Sequence, residues 1–248
     1  RSSDLESKAA AAAILVGSAL TACIAPPPKC VCEEGGSASS DSGGGKGGSV
    51  EDKIKALDLQ PAAVLAPLVW DGASIAMINV DPPGSWFAYN DGSPTGEMSP
   101  MGTADFEQNI VDGSIHAMGS GFKQWGGGIG LSFGGGAMLT PTDASKYKGI
   151  SFKAWGKGGV HVGLASVATV PEFGICEEKA KKCYDHYAVD ITLTEEPKVY
   201  SYPWEKLRQG GWGAPRTKLD PHYVIGLHFV SKGASPWDFY IDDITFIE

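Results

Sequence analysis

The stretch that decides the fold is GISFKAWG, at residues 149–156. Its apolar side chains recur at every second position, at Ile150, Phe152 and Ala154. Successive side chains of an extended strand point to opposite faces, so this period of two places the apolar set on one face. The stretch therefore predicts a β-strand that packs one face against a core.

The same alternation returns after residue 68 in runs that are separated by Gly- and Pro-rich turns. These runs are IGLSF (129–133), VHVGLASV (160–167), YAVDITLT (187–194), KVYSYPW (198–204), YVIGLHFV (223–230) and PWDFYIDDITFI (236–247). Many short strands, each with one apolar face, bury those faces when two sheets pack against each other. We predict an all-β fold, a β-sandwich over residues 68–248.

Composition narrows the class of protein further. The chain has 248 residues, of which 42% are hydrophobic, 34 are Gly and 16 are Pro. This length suits one globular domain with a tail, and so many turn-forming residues disfavour a mainly helical fold. The formal net charge of -9 disfavours nucleic acid as a partner, because phosphate binding needs a surplus of Lys and Arg on one surface.

The N-terminal region carries an apolar run, AAAAAILVGSAL, at residues 9–20. A membrane-spanning helix needs about 20 residues, so a run of this length is more typical of a cleaved signal peptide. The residues LTAC at 20–23 resemble the lipobox of bacterial lipoproteins, which implies a signal peptide at 1–22 and a lipid on Cys23. An Ala-rich helix with a buried cysteine is the alternative.

The segment after Cys23 is rich in Gly, Ser and Pro up to residue 49, and it predicts a flexible tether because it can bury little apolar surface. A connector at 50–67 follows, with a short helix predicted at 50–59, Ser49 as its N-cap and Asp52 three residues on. The lipoprotein resemblance, with Ile24 after the lipidated position, implies that a membrane anchor holds the folded domain at the outer membrane or cell surface.

Four cysteines remain once Cys23 is assigned to the lipid, an even number for an oxidising compartment. Cys176 and Cys183 enclose the charged segment CEEKAKKC, where a bridge would stabilise the fold by about 2–3 kcal/mol through loop closure. For Cys30 and Cys32 two pairings stay open: with each other, or with a second molecule, which would give self-association.

A series of motifs follows in one order: GSWFAYNDGS (84–93), GFKQWGGGIGLSF (121–133), DASKYKGISFKAWGKGG (143–159), CYDHYAVDITLT (183–194), YSYPWEKLRQGGWG (200–213) and FYIDDITF (239–246). This order resembles the galactose-binding-like jelly-roll carbohydrate-binding modules of bacterial secreted and surface proteins. The resemblance covers residues 69–248. It implies a β-sandwich that binds polysaccharide without cleaving it, often with a structural calcium ion.

The C-terminal run changes phase in its middle. Up to Ile241 the apolar residues occupy odd-numbered positions, and from Ile244 they occupy even-numbered positions. This change predicts a β-bulge at Asp242 and Asp243. Paired carboxylates offer the oxygen ligands that Ca²⁺ takes, and the resemblance implies a calcium site at Asp242 with Asp71. The alternative is that these charges only protect an edge strand.

A sugar site needs a flat apolar surface beside polar groups, and Trp and Tyr supply the surface with little entropy to lose. The predicted ligand-binding residues are Trp86, Tyr89, Tyr184, Asp185, His186 and Trp212. The loop closed by Cys176 and Cys183 is the favoured element, because a bridged loop pre-organises its side chains.

The remaining aromatic and histidine residues receive less specific predictions. Trp125 is also a candidate for stacking on a sugar ring. Because Trp125, Trp204 and Trp237 have apolar neighbours, however, all three are expected in the core. His161 and His228 alternate to the face away from the core, where a solvated side chain is the simpler interpretation.

The sequence favours a non-catalytic, surface-anchored protein that binds a polysaccharide. It contains no G-x-S-x-G, H-E-x-x-H or P-loop motif. A cysteine in a disulfide cannot serve as a nucleophile, which weakens a Cys183–His186 pair. Two alternatives stay open: a structural or assembly protein of the cell surface, and a glycoside hydrolase.

Overall fold

The computed structural model describes residues 48–76, 78–135, 139–180, 182–231 and 236–248. The predicted signal peptide, Cys23, and Cys30 with Cys32 lie outside the described residues. The helices are α1 (Val50–Ala56) and α2 (Thr103–Gln108), with short 3₁₀ turns at Pro171–Phe173, Glu178–Ala180, Trp204–Lys206 and Pro221–Tyr223.

The strands follow in chain order. They are β1 (Ala62–Val64), β2 (Leu68–Trp70), β3 (Val80–Asp81), β4 (Trp86–Asn90), β5 (Glu97–Ser99), β6 (Ile110–Val111), β7 (Ser114–Ser120), β8 (Gly127–Ser132), β9 (Thr142–Asp143), β10 (Gly149–Lys157), β11 (Gly159–Ser166), β12 (Tyr187–Thr192), β13 (Lys198–Pro203), β14 (Val224–Ser231) and β15 (Trp237–Ile247).

These strands form two sheets. The first sheet has the order β12-β11-β14-β9-β1-β3, and β8 also pairs with β14 and carries β4 on its other edge. The second sheet has the order β13-β10-β15-β7-β5, with β2 paired to β15 and β6 to β7. The site described below lies on the antiparallel part of the first sheet, in the order β4-β8-β14-β11-β12.

The core lies between the two sheets. Ile150, Phe152 and Ala154 of β10 are all buried in it, as the alternation predicts. The ring of Phe152 meets the ring of Phe229 from the first sheet edge to face, with centroids 5.2 Å apart. Burial of apolar surface from both sheets is the main stabilising contribution to such a layered fold. The predicted all-β sandwich is confirmed.

The predicted β-bulge is present in β15. The register of β10 against β15 shifts between Ser151 and Lys153, opposite Thr245 and Asp242. Asp243 has a φ of 48°, in the left-handed region that few non-glycine residues adopt. The bulge explains why the apolar phase changes there.

The helix predicted before the sandwich is also present, as α1. Ser49 and Asp52 form a reciprocal capping box, with Asp52 N–H donating to Ser49 Oγ at 3.1 Å and Ser49 N–H to Asp52 Oδ2 at 3.0 Å. β1 already belongs to the first sheet, ahead of residue 68, where the sequence places the start of the sandwich. Among the described residues, no helix has the length and apolar character required to cross a membrane.

Candidate functional site

The outer face of the first sheet alternates large rings with glycines. Across neighbouring strands, Phe87 pairs with Gly130, Gly130 with His228, and His228 with Gly163. The glycines make room for the rings: a Cβ on Gly130 would lie 2.3 Å from the Phe87 ring, and one on Gly163 would lie 3.2 Å from His186 Cβ. The rings of neighbouring strands therefore lie over these glycines.

Five rings form a continuous series on this face, which we call the aromatic row: Trp125, Tyr89, His228, His186 and Tyr184. Successive ring centroids are 5.9, 5.5, 4.6 and 6.2 Å apart. Trp125 and Tyr184, at the two ends, are 47% and 51% exposed, whereas His186 is 8% exposed. The row is therefore a polar centre between two exposed aromatic ends.

Tyr89 and His228 are hydrogen-bonded to each other through their side chains. The Tyr89 hydroxyl lies 3.0 Å from Nδ1 of His228. Burial raises the pKa of Tyr89 and lowers the pKa of His228 to about 4, so both are neutral at pH 7. We assign the ring proton of His228 to Nε2, and in this tautomer the phenol donates to Nδ1.

His186 has the opposite arrangement. Its Nδ1 lies 2.9 Å from Oγ1 of Thr169, whose single proton we assign to the Ser166 carbonyl at 3.1 Å. Nδ1 of His186 is then the donor and Nε2 an acceptor. Burial, followed by the proximity of His228 and His161, lowers the pKa of His186, which keeps the ring neutral.

The two Nε2 atoms are the polar groups that this face leaves for a ligand. Within the part of the chain that the structure describes, neither has a hydrogen-bond partner, although the rings of His186 and His228 are adjacent. With the tautomers assigned above, the adjacent rings offer one N–H and one bare ring nitrogen, the donor and acceptor that a hydroxyl group can use.

The predicted disulfide is confirmed and leads into the row. Cys176 and Cys183 are bonded, with Cα atoms 5.2 Å apart. Tyr184 follows Cys183 directly, and its N–H donates to the Thr169 carbonyl at 2.7 Å. The bridge and this bond hold Tyr184 at its end of the row.

Two predicted ligand-binding residues have other roles. Trp86 is only 2% exposed and packs in the core against Trp70 and Phe106, because it lies on the inner phase of β4. Asp185 is 3% exposed, and its carboxylate accepts three backbone hydrogen bonds from the loop that carries Trp212. We correct both predictions: neither side chain is placed to contact a ligand directly.

Three of the four other predicted residues lie at the face. Tyr89, Tyr184 and His186 belong to the aromatic row, and Trp212 is 61% exposed on the loop bound to Asp185. The sequence favoured the core for Trp125, which is wrong because the side chain is 47% exposed. Its apolar neighbours outweighed its candidacy for sugar stacking. The sequence gave His228 no role, although its outward phase in β14 was an available signal.

The predicted calcium ligands do not form a matching donor set. Asp242 and Asp243 both face the Lys153 ammonium, at 3.3 and 2.6 Å, and Asp71 accepts from Ala73 N–H at 3.0 Å. Calcium takes six to eight oxygens, and no group of three or more acidic, His or Cys side chains suited to a metal occurs among the described residues. The calcium ion stays a prediction.

Comparisons with known proteins bear on the architecture. No protein-family model matches the chain, and no curated protein matches it. A family 11 carbohydrate-binding module from Clostridium thermocellum, in complex with a β-1,3-1,4-mixed-linked tetrasaccharide, is similar in structure at a TM-score of 0.44 and 18% identity, covering 65% of this chain and 88% of that one.

Two further solved structures are similar. A family 29 module complexed with cellulohexaose has a TM-score of 0.39 and 9% identity, covering 72% of this chain and 87% of that one. A family 4 module has a TM-score of 0.38 and 16% identity, covering 73% of this chain and 94% of that one. At TM-scores below 0.5, none of these likenesses assigns a ligand to this chain.

Proposed function

We propose that this protein binds polysaccharide without cleaving it, on the outer face of the first sheet. The observation that carries the proposal is the aromatic row, with exposed rings at Trp125 and Tyr184 and, between them, two imidazole nitrogens that have no hydrogen-bond partner among the described residues. Sugar rings have apolar C–H faces that pack on aromatic rings, and hydroxyl groups around their edges that need donors and acceptors.

The face is built before a ligand arrives. The glycines beneath Phe87 and His186 fix where those rings lie, and the Cys176–Cys183 bridge restrains Tyr184. A site whose side chains are already ordered loses less conformational entropy on binding. This favours recognition of an extended, flexible sugar chain.

Charge favours a neutral glycan over an anionic one. Burial, and then the neighbouring carboxylates of Glu172 and Glu178, raises the pKa of Tyr184, so one end of the row lies in a negative field. His161, on the same face, is paired with Asp190 at 2.7 Å. A uronic-acid chain would meet repulsion at the Tyr184 end, whereas a neutral chain would not.

Non-catalytic binding is favoured because two of the carboxylates beside the row are engaged in backbone hydrogen bonds. A glycosidase needs two carboxylates that flank the scissile bond. Asp91 and Asp185 each accept hydrogen bonds from three backbone N–H groups. Glycoside hydrolysis stays the alternative, and reducing-sugar release would reveal it.

The test is affinity electrophoresis of the full chain in gels containing mixed-linked β-1,3-1,4-glucan, xylan, galactomannan or polygalacturonate. We expect retardation in at least one neutral gel. Replacing Trp125 and Tyr184 together by Ala should weaken binding about tenfold or more, since each aromatic contact contributes roughly 0.5–1.5 kcal/mol.

The matched control is Trp155→Ala, which removes an aromatic ring from the outer face of the second sheet. It should leave migration unchanged. Free migration of the wild-type protein in all four gels, or an equal loss of retardation in the Trp155 variant, would overturn the proposed function.

We also propose that a lipid on Cys23 anchors the protein at the outer membrane or cell surface. The proposal rests on the residues LTAC at 20–23, which follow an apolar run and precede a Gly- and Ser-rich tether. Labelled fatty acid should be incorporated by the full-length precursor and not by its Cys23→Ser variant. Equal labelling of both would exclude this anchor.

A further inference from the structure

Two exposed tryptophans, Trp125 and Trp212, lie on loops with the same arrangement, in which a carboxylate binds the backbone of the loop. Asp91 Oδ2 accepts from the N–H groups of Gln124 and Gly126, at 2.8 and 3.0 Å, on either side of Trp125. Oδ1 accepts from Ser93 N–H at 2.9 Å. Although burial acts in the opposite direction, hydrogen bonds from Ser93, Gly126 and Gln124 lower the pKa of Asp91, which keeps it ionised.

Asp185 does the same for Trp212. Oδ1 accepts from Gly210 N–H at 2.7 Å, and Oδ2 accepts from the N–H groups of Gly211 and Gly213 at 2.8 and 2.9 Å. A Cβ on Gly213 would lie 2.3 Å from Asp185 Cβ, so the loop approaches this closely only because it has glycine there.

These bonds fix loops whose tryptophans contribute little to the core. Trp125 and Trp212 are 47% and 61% exposed, which leaves large apolar surfaces in water. Hydrogen bonds to an ionised acceptor are shorter and stronger than neutral ones, so three of them order a short loop effectively. Holding an exposed ring rigid lowers the entropy lost when a ligand packs on it.

The two loops lie at opposite ends of the face. Trp125 contacts Tyr89 of β4, and Asp185 lies between Tyr184 and His186, just before β12. From β4 to β12 there are four strand spacings, or about 19 Å. One sugar ring cannot span that distance, whereas a chain of several can.

We propose that Asp91 and Asp185 are positioning residues that fix Trp125 and Trp212 as two end platforms, so that the site selects glycan chains long enough to reach both. This inference rests on the proposed function and adds chain length as the property that is recognised. Each carboxylate acts through its loop and does not touch the sugar.

The first test needs no ligand. Asp185→Asn replaces Oδ2 by an N–H₂ group that cannot accept from Gly211 and Gly213, while Oδ1 can still accept from Gly210. We expect hydrogen exchange at the Gly211 amide to become about tenfold faster or more, since a lost charged bond is worth at least that factor. Asp91→Asn should do the same at Gly126.

The second test is calorimetry with cellotriose and cellohexaose, or with matched short and long oligomers of whichever polysaccharide retards the protein. Asp185→Asn and Trp212→Ala should each weaken binding of the hexasaccharide about five- to tenfold and of the trisaccharide less than twofold. Asp185→Asn should add nothing in the Trp212→Ala background, because both act through one ring.

Asp105→Asn is the matched control, since Asp105 accepts from the backbone N–H groups of Met101 and Gly102 in a loop that carries no tryptophan. It should leave binding of both sugars unchanged. Unchanged exchange at Gly211, equal losses for short and long sugars, or additive effects of the two substitutions would each overturn the inference while leaving the proposed function intact. Absence of binding by the wild type to any glycan would instead overturn the proposed function.

Discussion

The two outer faces of the sandwich use similar residues to different ends. On the second sheet, Trp155, Tyr240 and His116 stack face to face, with centroids 5.1 and 4.3 Å apart and planes within 5°. His116 Nε2 pairs with Asp238 at 2.8 Å. Ring faces and charges there satisfy one another, whereas the first sheet leaves ring nitrogens unpaired among the described residues.

This difference shows that aromatic composition alone does not make a binding face. The second sheet also borders the more obvious cleft, of about 440 Å³, lined by Met98, Met118 and Trp237 among others. That cleft lies away from the aromatic row. We place the binding site on the outer face of the first sheet because two exposed rings and two imidazole rings form one continuous series there.

The largest expected effect is on stability, and it distinguishes the inward-facing side chains of β4 from the outward-facing ones. Trp86→Ala should lower the free energy of unfolding by about 3–5 kcal/mol, because it leaves a cavity between Trp70 and Phe106. Thermal unfolding would measure the stability of the variant, and calorimetric titration would measure its glycan affinity. Glycan affinity per folded molecule should be retained, and a stable variant that no longer binds would return Trp86 to the site.

The next effect concerns the neutral histidines of the row. The pKa of His228 is lowered to about 4, so the unfolded state takes up a proton that the folded state does not. Stability should therefore be complete above pH 6.5 and fall by about 2–3 kcal/mol as the pH drops towards 4. Melting temperatures measured from pH 7 to 4.5 would show this.

His228→Gln should make that decline with pH shallower. If the wild type and the His228 variant lost stability in parallel, the claim that the His228 imidazole is neutral in the folded protein would be wrong.

The smallest effect tests the paired charges of the second sheet. Lys153→Met leaves Asp242 and Asp243 without their shared cation, which should cost about 1 kcal/mol at pH 7, because the groups are partly exposed. Urea unfolding would measure it, with Lys157→Met as the control. Glycan binding should not change, and a loss of binding would move the site to this face.

The layers of the fold could be predicted because alternation is a local property. GISFKAWG and its related runs give strands, the change of phase before Ile244 gives the bulge, and the spacing of Cys176 and Cys183 permits the bridge. Each of these needs only neighbouring residues.

The site could be predicted only in part because its contacts are long-range. Tyr89 and His228 are 139 positions apart and meet through the pairing of β4, β8 and β14. Asp185 also looked like a ligand contact, since its bonds to the distant glycine loop leave no mark in its own segment. Chemistry identified the right residue types, and topology decided which of them meet.

The most direct measurement of the central claim is backbone NMR of the ¹⁵N-labelled full chain during titration with the oligosaccharide of whichever polysaccharide retards it. We expect the largest shifts at the amides of Gly128, Gly130 and Gly163, beneath the aromatic row. Shifts confined to Met98, Met118 and the strands around them would place the ligand in the cleft of the second sheet and contradict this account.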